Sequence, residues 1–450
     1  MFIDFLSRSF AEFASGDAIV WNGRAIRYAE IGERLSHWTA ELQTTGIAPG
    51  SVVALEGDFS PNSIALFLAL VERACIVVPQ SNVSRKGRAR KDEIAQIEHF
   101  CEIDAADNVA FRVADRTAEG PLYAVLRSRN HPGLVLFSSG TSGEPKAAVH
   151  DFVPLLEKFH TRRTALRTLN FLLFDHWGGL NTLLHTLSNG GTVVTVRDRS
   201  PESVCSLIEQ HKVHLLPATP TFLNLLLVSG AHRHHDLGSL KVISYGAEPM
   251  PQATLDRLRA AFPDVQLLQT YGLIEVGVLR SKSRENGSLW VKVGGEGYQT
   301  RIVDGMLQIK TTSTILGYIN APSPITADGW FMTGDAVEQD GEYLRILGRK
   351  SEIINVGGEK VYPSEVESVI QEMDNVLEAT VYGKKNPLLG NIVCTTVRLM
   401  SPEDPQAFAT RLKLHCKSRL ERFKIPVQVA VADEEQFGDR FKKARADVSQ

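Results

Sequence analysis

Between residues 17 and 80, short apolar runs alternate with longer stretches of helical period. Residues 18–21, 51–55 and 75–79 are compact and apolar, which predicts buried strands, while 28–44 and 60–73 predict helices. Strands that alternate with helices imply a parallel sheet covered on both faces. The pattern weakens between Ser81 and His131, where a basic stretch from Arg85 to Lys91 is expected to form a solvated helix face. Residues 134–137 predict another buried strand and 152–167 a helix. Strands are then expected at 170–174, 191–196, 213–216 and 241–244, with helices between the later ones. Short β-like runs at 301–303 and 307–310 suggest a smaller sheet subdomain. Beyond Leu347-Gly348-Arg349-Lys350-Ser351, segments 353–355, 363–373, 379–382, 392–397, 407–420 and 428–431 predict a small α/β domain.

Composition narrows the class. A chain of 450 residues is long for one domain, so two or more are expected. Hydrophobic content of 43% with 22% charged residues is that of a soluble globular enzyme. The formal net charge of −3 offers no basic surplus, so nucleic acid is not an expected partner. Apolar runs such as 64–71 are too short to span a bilayer, and residues 1–13 interleave Asp, Ser, Arg and Glu with apolar positions, unlike a signal peptide. The five cysteines are scattered and form no C-x-x-C pair, which points to a reducing cytoplasm without disulfides. His232-Arg233-His234-His235-Asp236 has metal-binding residue types, but its place between an apolar stretch and a turn favours a solvated loop.

The richest chemistry lies in residues 134–150. The apolar run empties into Ser138-Ser139-Gly140-Thr141-Ser142-Gly143 and then Glu144-Pro145-Lys146. Two glycines permit a tight turn and close backbone approach to a ligand. Hydroxyls, exposed N–H groups and a lysine suit phosphate oxygens. The Walker pattern is absent, because no Ser or Thr follows the lysine. Further on come Tyr245-Gly246-Ala247-Glu248-Pro249, Thr270-Tyr271-Gly272-Leu273-Ile274-Glu275, Gly329-Trp330-Phe331-Met332-Thr333-Gly334-Asp335 and Leu347-Gly348-Arg349.

These ordered motifs resemble those of the adenylate-forming superfamily, which includes acyl- and aryl-CoA ligases, peptide-synthetase adenylation domains and luciferases. The resemblance implies an α/β fold: a large amino-terminal domain of parallel-type sheets with a β subdomain (residues 1–348), and a small mobile α+β carboxy-terminal domain (residues 349–450). It implies that Ser138, Ser139, Gly140, Thr141, Ser142, Gly143 and Lys146 hold ATP phosphates. Gly246, Ala247 and Glu248 would form the adenine turn, with Thr270, Tyr271 and Gly272 completing the nucleotide site and Tyr271 stacking on adenine. Asp335 would accept both ribose hydroxyls, as a carboxylate can, with Arg349 beside it. Glu275, a hard oxygen ligand, and Thr141 would hold Mg²⁺. Asp175, His176 and Trp177, with Tyr245 and Gly272, would line the acid pocket. Asp175 also falls near the aspartate by which amino-acid-activating members hold an ammonium group, while the alternative for Trp177 is a core position. Ser351 would be the hinge, and Gly357 and Gly358 would guide a thiol or form a plain hairpin turn.

Three departures from the family pattern stand out. Ile274 replaces a threonine that contacts the α-phosphate, Ser351 replaces the hinge Asp or Lys, and Phe441 replaces the glycine before the tail lysine. Lys442, with Arg445 at the right spacing, is the implied catalytic lysine; Lys443 and Arg440 are the other alignments. Lys442, Glu275 and His176 are thus the expected catalytic set. The expected reaction is ATP-dependent conversion of an acyl or aryl acid to its adenylate with release of pyrophosphate, then transfer to a thiol, most readily CoA. Partners are then a small carboxylic acid and CoA, or the phosphopantetheine of a carrier protein. Amino-acid adenylation and a non-catalytic nucleotide- or acyl-binding relative are the alternatives.

Overall fold

A computed structural model describes residues 1–83, 87–138, 144–295, 297–438 and 441–443. Two seven-stranded sheets form its larger part. The first has the spatial order Gln266–Gln269, Val242–Tyr245, Leu215–Ala218, Arg167–Asn170, Thr192–Thr195, Asp17–Trp21 and Arg24–Arg27. Its neighbours are parallel except in the last pair, a hairpin. The second runs Gly317–Tyr318, Lys146–Asp151, Gly133–Ser138, Ile76–Gln80, Val52–Glu56, His99–Ile103 and Val109–Val113. It is parallel in the middle and antiparallel at both edges.

Helix Pro61–Glu72 is apolar on every side, a pattern that belongs in an interior. Its residues Ile64 to Val71 are fully buried and share one core with Ile19 of the first sheet and Leu55, Val77 and Leu134 of the second. Helix Trp177–Ser188 contributes Leu180 and Leu184 to the same core, so the sheets pack through a helical layer. Local chemistry fixes where helices start. Ser60, Ser200, Thr219 and Asp404 each accept a first-turn backbone N–H and each is followed by a proline, whose fixed φ suits the first helical position.

A six-stranded sheet containing Met306–Thr311, Phe331–Asp340 and Tyr343–Arg349 follows. The last sheet is built on the hairpin Val376–Asn386 and Gly390–Leu399, with Gln428–Val431 parallel to its second strand. Helices Pro363–Ile370 and Pro405–Lys417 close over it around a core of its own, including Val366, Val381 and Phe408.

The pattern misplaced several elements. Arg24–Arg27 is a strand, and Lys146–Asp151 is a strand antiparallel to Gly133–Ser138. Residues 152–167 are not one helix: Phe152–Leu156 and the turn Glu157–Phe159 give way to exposed residues 160–165, which have no apolar face to bury. The strand expected at 170–174 lies at Arg167–Asn170, in register with Thr192–Thr195. Phe171, Leu173 and Phe174 are buried as loop side chains, so their apolar run imitates a strand without joining a ladder. Residues 88–129, weakly patterned, hold helices Arg88–Ala95 and Pro121–Arg129 around the hairpin His99–Ile103 and Val109–Val113. Arg88 is not a solvated face residue, since it pairs with Glu56 at 2.7 Å in a largely buried contact.

Candidate active site

The first sheet sets up the site. Ala218, Tyr245 and Gln269 are level in register at the carboxyl ends of three adjacent parallel strands. The segments that follow, beginning at Thr219, Gly246 and Thr270, therefore emerge along one edge within about 10 Å, two interstrand spacings. Ligands collect at such edges in open α/β sheets. Gly246 is required here, because a Cβ at that position would lie 2.6 Å from the Thr270 carbonyl oxygen. Thr270 Oγ1 donates to the Tyr245 carbonyl at 3.0 Å, and Ala247 adopts φ +72, which tightens the turn. Gly272 is equally close-packed, with Val278 Cα 2.9 Å from its notional Cβ. Glu248 accepts the Thr221 amide at 2.7 Å and the Lys443 amide at 3.4 Å. Tyr245 is buried in the core.

Asp335 and Arg349 meet across an antiparallel pair, with Arg349 Nε 2.8 Å from Asp335 Oδ1. The Tyr271 hydroxyl donates to Asp335 Oδ2. Burial raises the Asp335 carboxyl above the usual carboxylate range, with Arg349 and Tyr271 acting the other way. Tyr271 itself is pushed well above an ordinary phenol by burial and by the neighbouring Asp335 charge. Arg349 also donates to the Thr333 carbonyl at 3.1 Å.

Glu275 accepts the Tyr318 hydroxyl at 2.5 Å, and Lys146 Nζ sits 5.9 Å from the Tyr318 ring. Lys146 is the register partner of Ser138 across the base of the hairpin. Ser139, Gly140, Thr141, Ser142 and Gly143 lie outside the described residues. Among the described residues no group of three or more His, Cys, Asp or Glu forms a metal cluster. A single carboxylate at Glu275 suits Mg²⁺, which is usually held by one or two carboxylates together with substrate phosphates and water.

A narrow cleft opens beside this edge, lined by Phe171, Leu172, His176, Arg199, Thr219 and Lys442 among others. His176 caps helix Trp177–Ser188: its Nδ1 accepts the Gly178 amide at 3.1 Å, which assigns the neutral ring proton to Nε2. Arg199 is buried and held by the Phe171 carbonyl at 2.8 Å. Asp175 and Trp177 do not share the cleft lining. Asp175 lines a separate cavity with Gln80, Arg88, Lys91 and Phe137, and Trp177 is in the core, stacked on His150 at 6.4 Å.

The tail separates its two lysines. Lys442 lines the cleft, whereas Lys443 Nζ pairs with the buried Glu367 at 2.7 Å and donates to the Ala379 carbonyl at 3.0 Å. Arg440 and Arg445 lie outside the described residues. Ser351 is exposed in the short turn Lys350–Glu352, directly after the strand that ends at Arg349. Gly357 and Gly358, at φ 61 and 96, form the hairpin turn between Ile354–Val356 and Glu359–Val361 and are not in the cleft lining. The reading from sequence overlooked Tyr318, Arg199 and Thr219. A Gly-Tyr pair and an isolated buried arginine carry no signal until strand pairing places them. His235 is ion-paired to Glu202 and Glu209 at 2.7 and 2.8 Å.

Two family models match this chain: AMP-binding enzyme over residues 84–305, and AMP-binding enzyme C-terminal domain over residues 365–436. The chain belongs to the adenylate-forming superfamily. Within it, the chain is 26% identical to a 2-succinylbenzoate–CoA ligase of Listeria monocytogenes over 460 residues, covering 92% of each chain. It is 27% identical to an indoleacetate–CoA ligase of Aromatoleum aromaticum over 472 residues, covering 93% of this chain and 91% of the relative. A crystal structure of an anthranilate CoA ligase in complex with anthranoyl-AMP superposes with a TM-score of 0.82 at 20% identity, covering 98% of this chain and 95% of that one. This adenylate-forming enzyme thus has the α/β fold of such ligases.

Proposed function

We propose that the enzyme is an AMP-forming acid–thiol ligase that makes acyl- or aryl-CoA from a small carboxylic acid, ATP and CoA. The observation that carries this reading is the meeting of Lys442, His176 and Arg199 on one cleft beside the Tyr271, Asp335 and Arg349 cluster. The relatives that match over nine-tenths of their length are CoA ligases. Residues 1–348 form the nucleotide- and acid-binding domain, and residues 349–450 move about Ser351.

In the first half-reaction a carboxylate oxygen attacks the α-phosphorus of ATP. The new P–O bond forms as the bond to pyrophosphate breaks, and charge builds on the phosphate oxygens. Lys442 meets that charge, and Lys146 with the Ser- and Gly-rich segment from Ser138 to Gly143 holds the outer phosphates. Asp335 binds the ribose, Tyr271 faces the adenine, and the Gly246 turn lets the base approach the backbone. Glu275 would hold Mg²⁺, which when bound would supply charge neutralisation at the phosphates. In the second half-reaction the CoA thiolate attacks the mixed anhydride, forming the C–S bond and expelling AMP. His176 borders the carbonyl, and the Gly357-Gly358 turn guides the thiol after Lys442 withdraws.

CoA is favoured over a carrier protein by the relatives. The amino-acid reading is disfavoured because Asp175 faces the Arg88 and Lys91 cavity. All five cysteines are buried and unpaired, which supports a cytoplasmic setting. Among the described residues no helix is long and apolar enough to cross a membrane. The test is mass-spectrometric detection of acyl-CoA after incubation with ATP, Mg²⁺, CoA and 2-succinylbenzoate, indoleacetate or anthranilate in turn, followed by a wider panel of fatty, aryl and amino acids. A CoA thioester with any fatty or aryl acid supports the reading. Adenylate formation restricted to amino acids, with no CoA thioester, contradicts it.

A further inference from the structure

Phe441 stands where the family pattern has glycine, and its backbone explains how. Its φ is +48, in the left-handed region that an ordinary side chain avoids. Such a conformation persists only when the surroundings determine it. Here they do, through five contacts. The Phe441 ring lies 5.4 Å from Phe171, 5.5 Å edge-on from Phe222 and 5.1 Å from Phe437, which stacks on it. Its carbonyl accepts the Thr219 hydroxyl at 2.7 Å, and its amide donates to the Gly438 carbonyl at 2.8 Å.

The partners belong to the cleft. Phe171 follows strand Arg167–Asn170 and holds Arg199 through its carbonyl, and Thr219 caps helix Pro220–Ser229. Both line the same cleft as Lys442, the next residue along the tail. One residue further, Lys443 is tied to Glu367 and Ala379 of the carboxy-terminal unit. Three consecutive side chains therefore divide the work: the Phe441 ring grips the large domain, Lys442 faces the cleft, and the Lys443 ammonium grips the small domain, while the Lys443 amide donates to Glu248 of the large domain at 3.4 Å.

We propose that Phe441 is a positioning residue, an aromatic latch that seats the tail on the large domain and fixes the aim of Lys442 for adenylation. The inference rests on the acid–thiol ligase reading for its consequence, and on packing alone for its geometry. The latch replaces the conformational freedom of glycine with an anchored ring. It must release before the thiol step, because the small domain cannot rotate while Phe441 is held between Phe171 and Phe222.

The test compares wild type with Phe441→Ala, Phe441→Gly and the ring-retaining Phe441→Tyr. Phe441→Gly separates the two roles of the site, since it relieves the backbone and removes the ring. The first readout needs no acid: tryptic cleavage after Lys442 and Lys443 in the intact enzyme, followed by mass. Cleavage is expected to be at least about 10-fold faster in the Ala and Gly variants and close to wild type in the Tyr variant. The second readout takes whichever of 2-succinylbenzoate, indoleacetate and anthranilate the wild type adenylates. Adenylation is expected to fall roughly 10- to 100-fold in Phe441→Ala and Phe441→Gly, the cost of a displaced catalytic group. Thioester formation from isolated acyl-adenylate and CoA is expected to hold or rise. Equal cleavage rates in all four proteins overturn the latch, as does an equal fall in both half-reactions. If no acid is adenylated by wild type, the ligase reading fails while the cleavage comparison still decides the latch.

Discussion

Arg349 ends its strand directly opposite Asp335, with its Nε 2.8 Å from the carboxylate, and Tyr271 closes the other oxygen from a segment 64 residues earlier. Three parts of the chain thus converge on one buried carboxylate, at the position where a ribose is expected. Asp335→Ala removes the acceptor and strands the Tyr271 hydroxyl in a buried site, at a cost of about 1–3 kcal/mol. Isothermal titration with AMP is expected to show at least about a 10-fold loss of affinity, alongside a lower unfolding midpoint. Unchanged AMP affinity would count against Asp335 as the ribose acceptor.

The two tail lysines differ in what they touch, so their variants are expected to differ in kind. Lys442→Ala should reduce pyrophosphate exchange by roughly 100- to 1000-fold, the effect of removing one preorganised electrostatic donor. AMP binding should stay near wild type. Lys443→Ala should lower exchange less and lower the unfolding midpoint, because Glu367 is buried and loses its cationic partner. The reverse ranking in exchange would reassign the catalytic role to Lys443.

Glu275 and Tyr318 form one unit in which the hydroxyl orients the carboxylate. Tyr318→Phe is expected to raise the Mg²⁺ concentration needed for half-maximal adenylation about 10-fold, the usual cost of losing a residue that orients a metal ligand. Glu275→Gln should raise it further. A magnesium titration of AMP formation reads both, and parallel curves for the variants and wild type would remove Glu275 from the metal site.

Lys158 donates to the Val278 carbonyl at 3.0 Å, and burial, reinforced by Arg163 and Arg280, pushes it down to about 7. An unfolded chain keeps this proton up to the ordinary lysine range. Between pH 7 and that range the unfolded state binds more protons, so stability rises with pH. Urea unfolding at pH 6 and pH 9 should show that rise in wild type and a smaller one in Lys158→Met. At pH 6 the variant is expected to be more stable by on the order of 1–3 kcal/mol. An identical pH response in both proteins would place the charge in water.

Much of the fold was legible because it rests on local signals. The helix expected at 60–73 and the buried strands expected at 51–55 and 75–79 follow from the local apolar pattern. The errors fell where apolar content and backbone pairing part company. Phe171, Leu173 and Phe174 are buried like strand residues but belong to a loop, of which Phe171 to Leu173 line the cleft. The residues proposed for the nucleotide site stand out in sequence as short motifs, and of these Tyr271, Asp335 and Arg349 meet in the structure. The cleft was not, because Arg199, Thr219 and Phe441 come from three segments that only the folded chain brings together. Phe441 is a departure from a glycine motif in sequence, and only the fold places its ring against Phe171 and Phe222.

ATP–pyrophosphate exchange on wild type and Lys442→Ala, across fatty, aryl and amino acids, tests the central claim most directly. The expected result is exchange in wild type with one class of fatty or aryl acid, lost in the variant while AMP still binds. ATP binding without exchange for any acid would contradict the claim and make the chain a nucleotide-binding relative.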